Sequence, residues 1–385
     1  MNDLEETLRR TLAGAAGQAP HAPGTLAGTV ETRYRRRRNR TRAVLAAAAV
    51  VALVGGATFA LRSGTPRAMP ATPPAAKLPP AIEKVWPRAF HDLPARLPDG
   101  RAFRPYQFID ERTLLVTPEY ESKLPDALYT YDVRTRDARK ITDLPKETAL
   151  FPEGLVAGGG RVMWWTVPGN GRGQLWSAPL SGGPADLVAR LPMDDGGVDA
   201  MAVVGDRIVF SVQDGGVFTV PFRGGTVKPV KGGEDSHLLA WPWVGRPGMA
   251  SSDGEPMFGT IRNVKTGETD TAFTRPADEM VRCGREICAG WTVRGAFTRL
   301  RDGSQERPDP CAERPQMVTP GRFCAELVRG RGPALEIMHD RKTGRSAVLG
   351  NARSSMLGFV PNIGQKLMFY TVQGRMRLVD LTKIP

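Results

Sequence analysis

From residue 83 onward the chain repeats one strand–turn–strand unit about every forty residues, and this period limits the fold more than any other feature. The units read ALYTYDVRTRDARKIT from Ala127, QLWSAPLSGGPADLVA from Gln174, GVFTVPFRGGTVKPV from Gly216 and PMFGTIRNVKTGETDTAF from Pro256. They continue as AFTRLRDGSQERP from Ala296, ALEIMHDRKTGRSAVL from Ala334 and RMRLVDLTKIP from Arg375. By subtraction, successive starts lie 47, 42, 40, 40, 38 and 41 residues apart. Each unit alternates apolar and polar residues, crosses a tight turn and continues as a second strand. A further strand precedes the units: RTLLVT at Arg112, RVMWWT at Arg161, DRIVFSV at Asp206, REICAGW at Arg285, RFCAELV at Arg322 and KLMFYT at Lys366. In the fourth repeat this strand is degraded to WVGRPGMASS. A shorter strand lies ahead of it, as in GVDAMAVV before Asp206. About four strands in about 42 residues is one propeller blade.

Seven copies predict an all-β, seven-bladed β-propeller, with a six-bladed ring as the alternative. The last copy stops one strand short at Pro385, and KVWPRAFHDLP (84–94) can supply the missing outer strand. Joining the ends in one blade leaves no free edge. Trp164, Trp176, Phe218, Phe258 and Leu335 are assigned to the packed faces between blades. Trp241 and Trp243, in AWPWVG, are either core or ligand-facing. Glycine (43) and proline (33) are near a fifth of the chain, which favours turns over long helices.

Upstream of the repeats the chain reads differently. Ala43–Leu61 has no charge, and as a helix it would reach roughly 28 Å, the thickness of a bilayer's hydrocarbon core. Seven arginines between Arg33 and Arg42 precede it, while only Arg62 and Arg67 follow closely. The positive-inside rule then puts the N-terminus in the cytoplasm. The expected organisation is a cytoplasmic segment (1–42), a transmembrane helix (43–61), a proline-rich linker (62–82) and an extracytoplasmic propeller (83–385). The partner of residues 43–61 is the lipid bilayer, in a single-pass plasma-membrane topology. A secretory signal cleaved near Thr58-Phe59-Ala60 is the alternative. Residues 2–14 read as a short helix capped by Asn2.

The net charge is +13. Nine Lys/Arg against four Asp/Glu put +5 in the first 42 residues, and 44 against 36 leave +8 for the rest. A basic outer domain suits anionic wall polymer or lipid head groups, or is ordinary solvated surface. Nucleic acid is not an expected partner on the outer side of a membrane.

Cys283, Cys288, Cys311 and Cys324 all follow the apolar segment. An even count in an oxidising compartment reads as disulfides. Of three connectivities, Cys283–Cys288 and Cys311–Cys324 are favoured. Zinc is the rival, but there is no C-x-x-C, and His339 is distant in sequence.

The LYTYDVRTRDARKIT pattern, a Tyr-x-Tyr-Asp strand, a tight turn and a closing Lys-x-Ile-Thr strand, resembles TolB-type propeller repeats. No Trp-Asp dipeptide occurs, so the WD-repeat class is not matched. The acidic-then-basic start, MNDLEETLRR followed by YRRRRNRTR, with one span and an outer propeller, resembles uncharacterised actinobacterial single-pass membrane proteins. The same start is similar to membrane-anchored anti-sigma regulators, but residues 1–42 have no cysteine and only His21. The resemblance implies architecture and carries no activity.

Searches for chemistry find little. No G-x-S-x-G, H-E-x-x-H, Walker or EF-hand pattern occurs. Gly169–Gly173 reads as a hairpin loop. Asp194, Asp195 and Asp199, in DDGGVD, are either calcium donors or a plain loop. His237 follows Glu234, Asp235 and Ser236, but neighbours on an extended strand point to opposite faces and cannot converge as a triad. No catalytic residue, cofactor or metal ligand is therefore named. The leading expectation is a membrane-anchored, non-catalytic binding or scaffold module for an unknown protein or envelope component. A signalling protein holding a sigma factor through residues 2–14 is a second reading. An extracellular hydrolase or lyase is a third, and its mark would be converging His, Asp, Glu or Arg at the channel mouth.

Overall fold

A computed structural model describes residues 78–119, 125–145, 153–167, 173–191, 197–248, 256–312, 319, 321–329, 334–351, 358–359 and 366–385. The expected N-terminal helix, membrane span and most of the linker lie outside the described residues. Among those residues, no helix is long and apolar enough to cross a membrane.

Alternation of apolar and polar residues folds the repeats into seven antiparallel sheets. The chain enters through a one-turn helix α1 (Ile82–Val85) and strand β1 (Phe90–Pro94). Blade one is β2 (Ala102–Phe108), β3 (Thr113–Glu119), β4 (Ala127–Asp132) and β5 (Ala138–Asp143). Blade two is β6 (Glu153–Gly158), β7 (Arg161–Thr166), β8 (Gln174–Pro179) and β9 (Asp186–Arg190). Blade three is β10 (Val198–Val204), β11 (Arg207–Val212), β12 (Val217–Pro221) and β13 (Lys228–Pro229). Blade four is β14 (His237–Ala240), β15 (Trp243–Arg246), β16 (Thr260–Asn263) and β17 (Thr269–Thr271). Blade five is β18 (Glu279–Cys283), β19 (Ile287–Thr292), β20 (Gly295–Leu300) and β21 (Arg307–Pro308). Three strands of blade six are described: β22 (Phe323–Val328), β23 (Leu335–Asp340) and β24 (Ser346–Asn351). Blade seven orders β1 outside β27 (Arg375–Asp380), then β26 (Leu367–Val372) and β25 (Gly358–Phe359). The seven-bladed expectation holds and the six-bladed alternative does not.

The ring closes as expected, with Phe90 opposite Val379 and Pro94 opposite Arg375. A second contact lies just upstream. Ala81 bridges Val348 on the outer strand of blade six, where the Val348 amide donates to Pro80 O at 2.9 Å. Arg345 donates to Val85 O at 3.2 Å and lies over the Trp86 ring. At the other end, Arg322 of blade six donates to Ile384 O at 3.4 Å and to Pro385 O. Both ends of the described chain are thus tied to blades six and seven.

The core lies between blades, because each sheet has two faces and a ring gives each face a neighbour. Leu115, Leu128 and Ile141 of blade one pack against Leu155, Val162 and Trp164 of blade two. Trp164 and Phe258 are fully buried, whereas Trp176, Phe218 and Leu335 are half-buried. The buried cluster involving blade five's Ala289 is small, pairing it with Ala312, and Trp291 and Ala296 pack alongside. Covalent and ionic ties between blades five and six stand beside it. The Cys311–Cys324 disulfide joins the segment after β21 to β22, and Arg341 donates to Asp309 at 2.5 Å. Cys283–Cys288 links facing residues of β18 and β19. Both expected disulfides are present. Asp309 lies close to Cys311 and Cys324, but both sulfurs are bonded and the carboxylate is held by Arg341, so the cluster has no thiolate for zinc.

The Tyr-x-Tyr-Asp signature has a structural use. Asp132 accepts from the backbone N–H of Arg134 and Thr135, at 2.9 and 3.0 Å, and nucleates the β4–β5 turn. Asn263 does the same in blade four, and in blade six Asp340 accepts from the Lys342 N–H and the Thr343 hydroxyl. Arg112 and Arg322, at the starts of second strands, grip Asp132 and Asp340.

Candidate functional site

Each blade's antiparallel order puts two kinds of connection on one face of the disc: second strand to third, and outer strand to the next inner strand. A pocket of about 880 Å³ opens there, over blades three and four. Gln213 and Asp214 come from the β11–β12 turn, and Asp235 from the approach to β14. Arg246, Pro247 and Gly248 end β15, and Thr260 and Thr271 begin and end the outer hairpin.

His237 is the innermost functional group. It opens β14, is 9 % exposed, and its Nδ1 is bonded to Asp199 Oδ2. Asp199 stands on β10 where the register against β11 shifts between Val198 and Ala200. A bulge of this kind re-aims a side chain. The inner strands of blades one, two, four and five carry comparable shifts. Asp199's other oxygen accepts from Ser211 Oγ, and that hydroxyl accepts the Leu238 N–H at 2.9 Å. Carboxylate, hydroxyl and imidazole are therefore mutually fixed across two blades.

The imidazole's second nitrogen, Nε2, has no partner among the described residues, and the ring lines the pocket with Gly248 packed against it. With Nδ1–H given to a carboxylate, a neutral ring presents Nε2 as an acceptor. The Arg246 guanidinium also has no partner among the described residues. This is not a nucleophilic triad. Ser211 donates to the aspartate rather than to the histidine, and it is fully buried.

The residues singled out in the sequence divide. Glu234 and Ser236 do not engage His237; Ser236 Oγ donates to Glu234 O at 3.1 Å. Asp199, offered with Asp194 and Asp195 either as a calcium donor or as plain loop, stands on β10 and is committed to His237 and Ser211. Asp194, Asp195 and most of the 169–173 loop lie outside the described residues. Trp243 is 8 % exposed, packs with Phe258 and Ile261, and is capped by Arg285 with its guanidinium carbon 3.7 Å from the ring centroid. That ring is covered and presents no face to a ligand. Trp241 is half-buried beside Val209, Val217 and Val244, with Lys265 Nζ 5.9 Å from its ring centroid. His339 has both nitrogens engaged, by Ser346 Oγ at 2.9 Å and Glu326 Oε2 at 3.0 Å. His91 lies against Phe108, and burial pushes its pKa below the usual imidazole range.

Fold and pocket together define the class: a seven-bladed β-propeller with a polar pocket on its loop face. No known protein family matches the sequence, and no curated protein does. Solved structures of similar shape include an oligogalacturonate lyase in complex with manganese, at 12 % identity over 76 % of this chain and 96 % of that one, TM-score 0.47. A putative TolB from Agrobacterium tumefaciens matches at 11 % identity over 68 % and 90 %, TM-score 0.32. BamB from Moraxella catarrhalis matches at 11 % over 70 % and 80 %, TM-score 0.34. The likeness extends to the propeller fold and no further.

Proposed function

We propose that the chain is a membrane-tethered, extracytoplasmic binding module that receives its ligand or partner on the loop face of the propeller. The observation that carries this reading is the pocket over blades three and four, where His237 Nε2 and Arg246 stand without partners among the described residues. A histidine fixed by a carboxylate through one nitrogen, lining a polar cleft with a guanidinium nearby, makes that cleft a place for a ligand. The uncharged stretch 43–61 and the arginines ahead of it support the tether.

The test is protease shaving of intact cells, combined with crosslinking through the outer domain and pull-down. The reading expects the propeller to be digested from outside while residues 1–42 survive, and one envelope component to be captured reproducibly. A propeller spared by the protease overturns it. An enzymatic reading also has a specific observation behind it, the Asp199–His237 pair, because a carboxylate-oriented imidazole is a serviceable general base. Turnover abolished by His237→Gln in a folded variant would establish that reading. The sigma-factor reading rests on residues 2–14 alone, and unchanged transcription after deletion of residues 2–20 would remove it.

A further inference from the structure

We infer that the pocket over blades three and four is a saccharide site: His237 Nε2 accepts a hydrogen bond from a sugar hydroxyl, and Arg246 pairs with an acidic substituent on the same ligand. This rests on the reading of the propeller as a binding module, and it names what that module binds.

The lining selects the chemistry. Gln213, Asp214, Asp235, Thr260, Thr271 and Thr274 contribute amide, carboxylate and hydroxyl groups. The apolar residues beside them are small, Pro247, Pro256 and Ala272, and among the lining residues no aromatic or long aliphatic side chain offers an anchor to a greasy ligand. Two carboxylates oppose a multiply charged anion such as phosphate. A simple cation would sit in the same pocket as the Arg246 charge. A ligand rich in hydroxyls meets neither objection. Its O–H groups donate to Nε2 and to the carboxylates, while its oxygens accept from Gln213, the threonines and Arg246. A carboxylate on that ligand would make the charge-assisted, two-pronged bond that a free guanidinium favours.

The dyad is built to present one atom. Asp199 fixes the ring through Nδ1, and Ser211 fixes Asp199. Both are positioning residues. Gly248 packs closely against the same ring: a Cβ there would stand 2.6 to 2.7 Å from Cδ2, Nε2 and Cε1 alike, over the imidazole rather than beyond Nε2. Gly248 shows no left-handed backbone angle, so what bars a larger residue there is the ring itself, which would have to leave the position in which Asp199 holds it.

The experiment uses the purified full-length chain in a non-glycosidic detergent, titrated calorimetrically with disaccharides and trisaccharides carrying one glucuronic acid among neutral sugars, their all-neutral glucose counterparts, inorganic phosphate and glycylglycine. The expected result is saturable binding of the acidic saccharides, weakened at least tenfold by His237→Gln. Arg246→Ala should erase the preference for acidic over neutral saccharide. Arg246 is exposed, so its replacement leaves the core untouched and guards against misreading a folding defect in His237→Gln. No saccharide binding at millimolar concentration, equal affinity in His237→Gln, an unchanged acidic preference in Arg246→Ala, or preference for phosphate or dipeptide overturns the assignment. If crosslinking captures an envelope protein equally from wild type and Arg246→Ala while no saccharide binds, the saccharide site falls and the binding-module reading stands.

Discussion

Arg301, one residue beyond the third strand of blade five, donates from Nε to Asp270 Oδ2 of blade four at 3.0 Å. Its other nitrogens donate to Phe258 O, Gly259 O and Asp270 O across the same boundary, at 3.0 to 3.1 Å. Arg341 takes the matching position in blade six and reaches back to Asp309, Thr319 O and Gly321 O. One guanidinium thus satisfies a cluster of carbonyls that the turn of the ring would otherwise strand. Asp270 stays a third exposed, so the main cost of losing Arg301 is the stranding of buried carbonyls, about 1–3 kcal/mol. Arg301→Leu should lower the unfolding free energy measured in urea by about 2–3 kcal/mol, and a loss under about 1 kcal/mol would show that water replaces the guanidinium.

Arg136 is in the left-handed region at φ 68°, where the matching turns of blades four and six have Gly267 at 80° and Gly344 at 76°. A side chain there costs roughly 1 kcal/mol, part of which glycine returns as unfolded-state entropy. Arg136→Gly should raise stability by about 0.5 kcal/mol, readable as a small rise in urea midpoint. A fall would mean that the Arg136 side chain makes a stabilising contact.

The disulfides should differ in weight. Cys311–Cys324 closes 13 residues and joins two blades beside a small apolar cluster, whereas Cys283–Cys288 closes 5 within one blade. Chain-entropy arguments give about 3 kcal/mol for the longer loop and about 2 kcal/mol for the shorter. The Cys311→Ser/Cys324→Ser double variant should unfold at lower urea than Cys283→Ser/Cys288→Ser. The reverse order would place the weak boundary elsewhere.

Acid should loosen the turns within the blades. Backbone hydrogen bonds from Thr135, with Arg112, hold Asp132 at a pKa of about 2, below its ordinary 3.8. Burial works upward on Asp340, but Arg322, Thr343 and the Lys342 amide outweigh it and hold that carboxyl low as well. A carboxyl depressed by folding stabilises the protein above its unfolded pKa, and that contribution disappears as pH falls through the folded value. The urea midpoint should therefore be lost progressively from pH 4 toward pH 2. Asp340→Asn should flatten that slope, and an unchanged slope would remove Asp340 from the account.

Much of the architecture was legible because a propeller writes its period into the chain. The alternation in ALYTYD or RVMWWT names a strand, and the shortfall at Pro385 named the closing strand before any pairing was seen. The disulfides were legible for a related reason, since facing strands bring Cys283 and Cys288 together. The pocket was not legible. Asp199 and His237 are 38 residues apart, about one repeat, each at the start of an inner strand. Aligning the repeats by period would have set them side by side, but the bulge that turns Asp199 toward its partner has no residue signature. Trp243 falls on the core side of its two readings, and the sequence could not decide it because the covering Arg285 comes from the next blade.

The way the chain enters the ring also governs how it bears load. A pull transmitted from upstream of residue 78 does not reach the closing strand first. It meets the Pro80–Val348 hydrogen bond, then Trp86, anchored 4 % exposed among Phe323, Met338 and Tyr370. Only after both yield would the five pairs between Phe90–Pro94 and the last strand feel the strain. Blade six thus acts as a cleat, spending strain from upstream on the rim before it can unzip the disc.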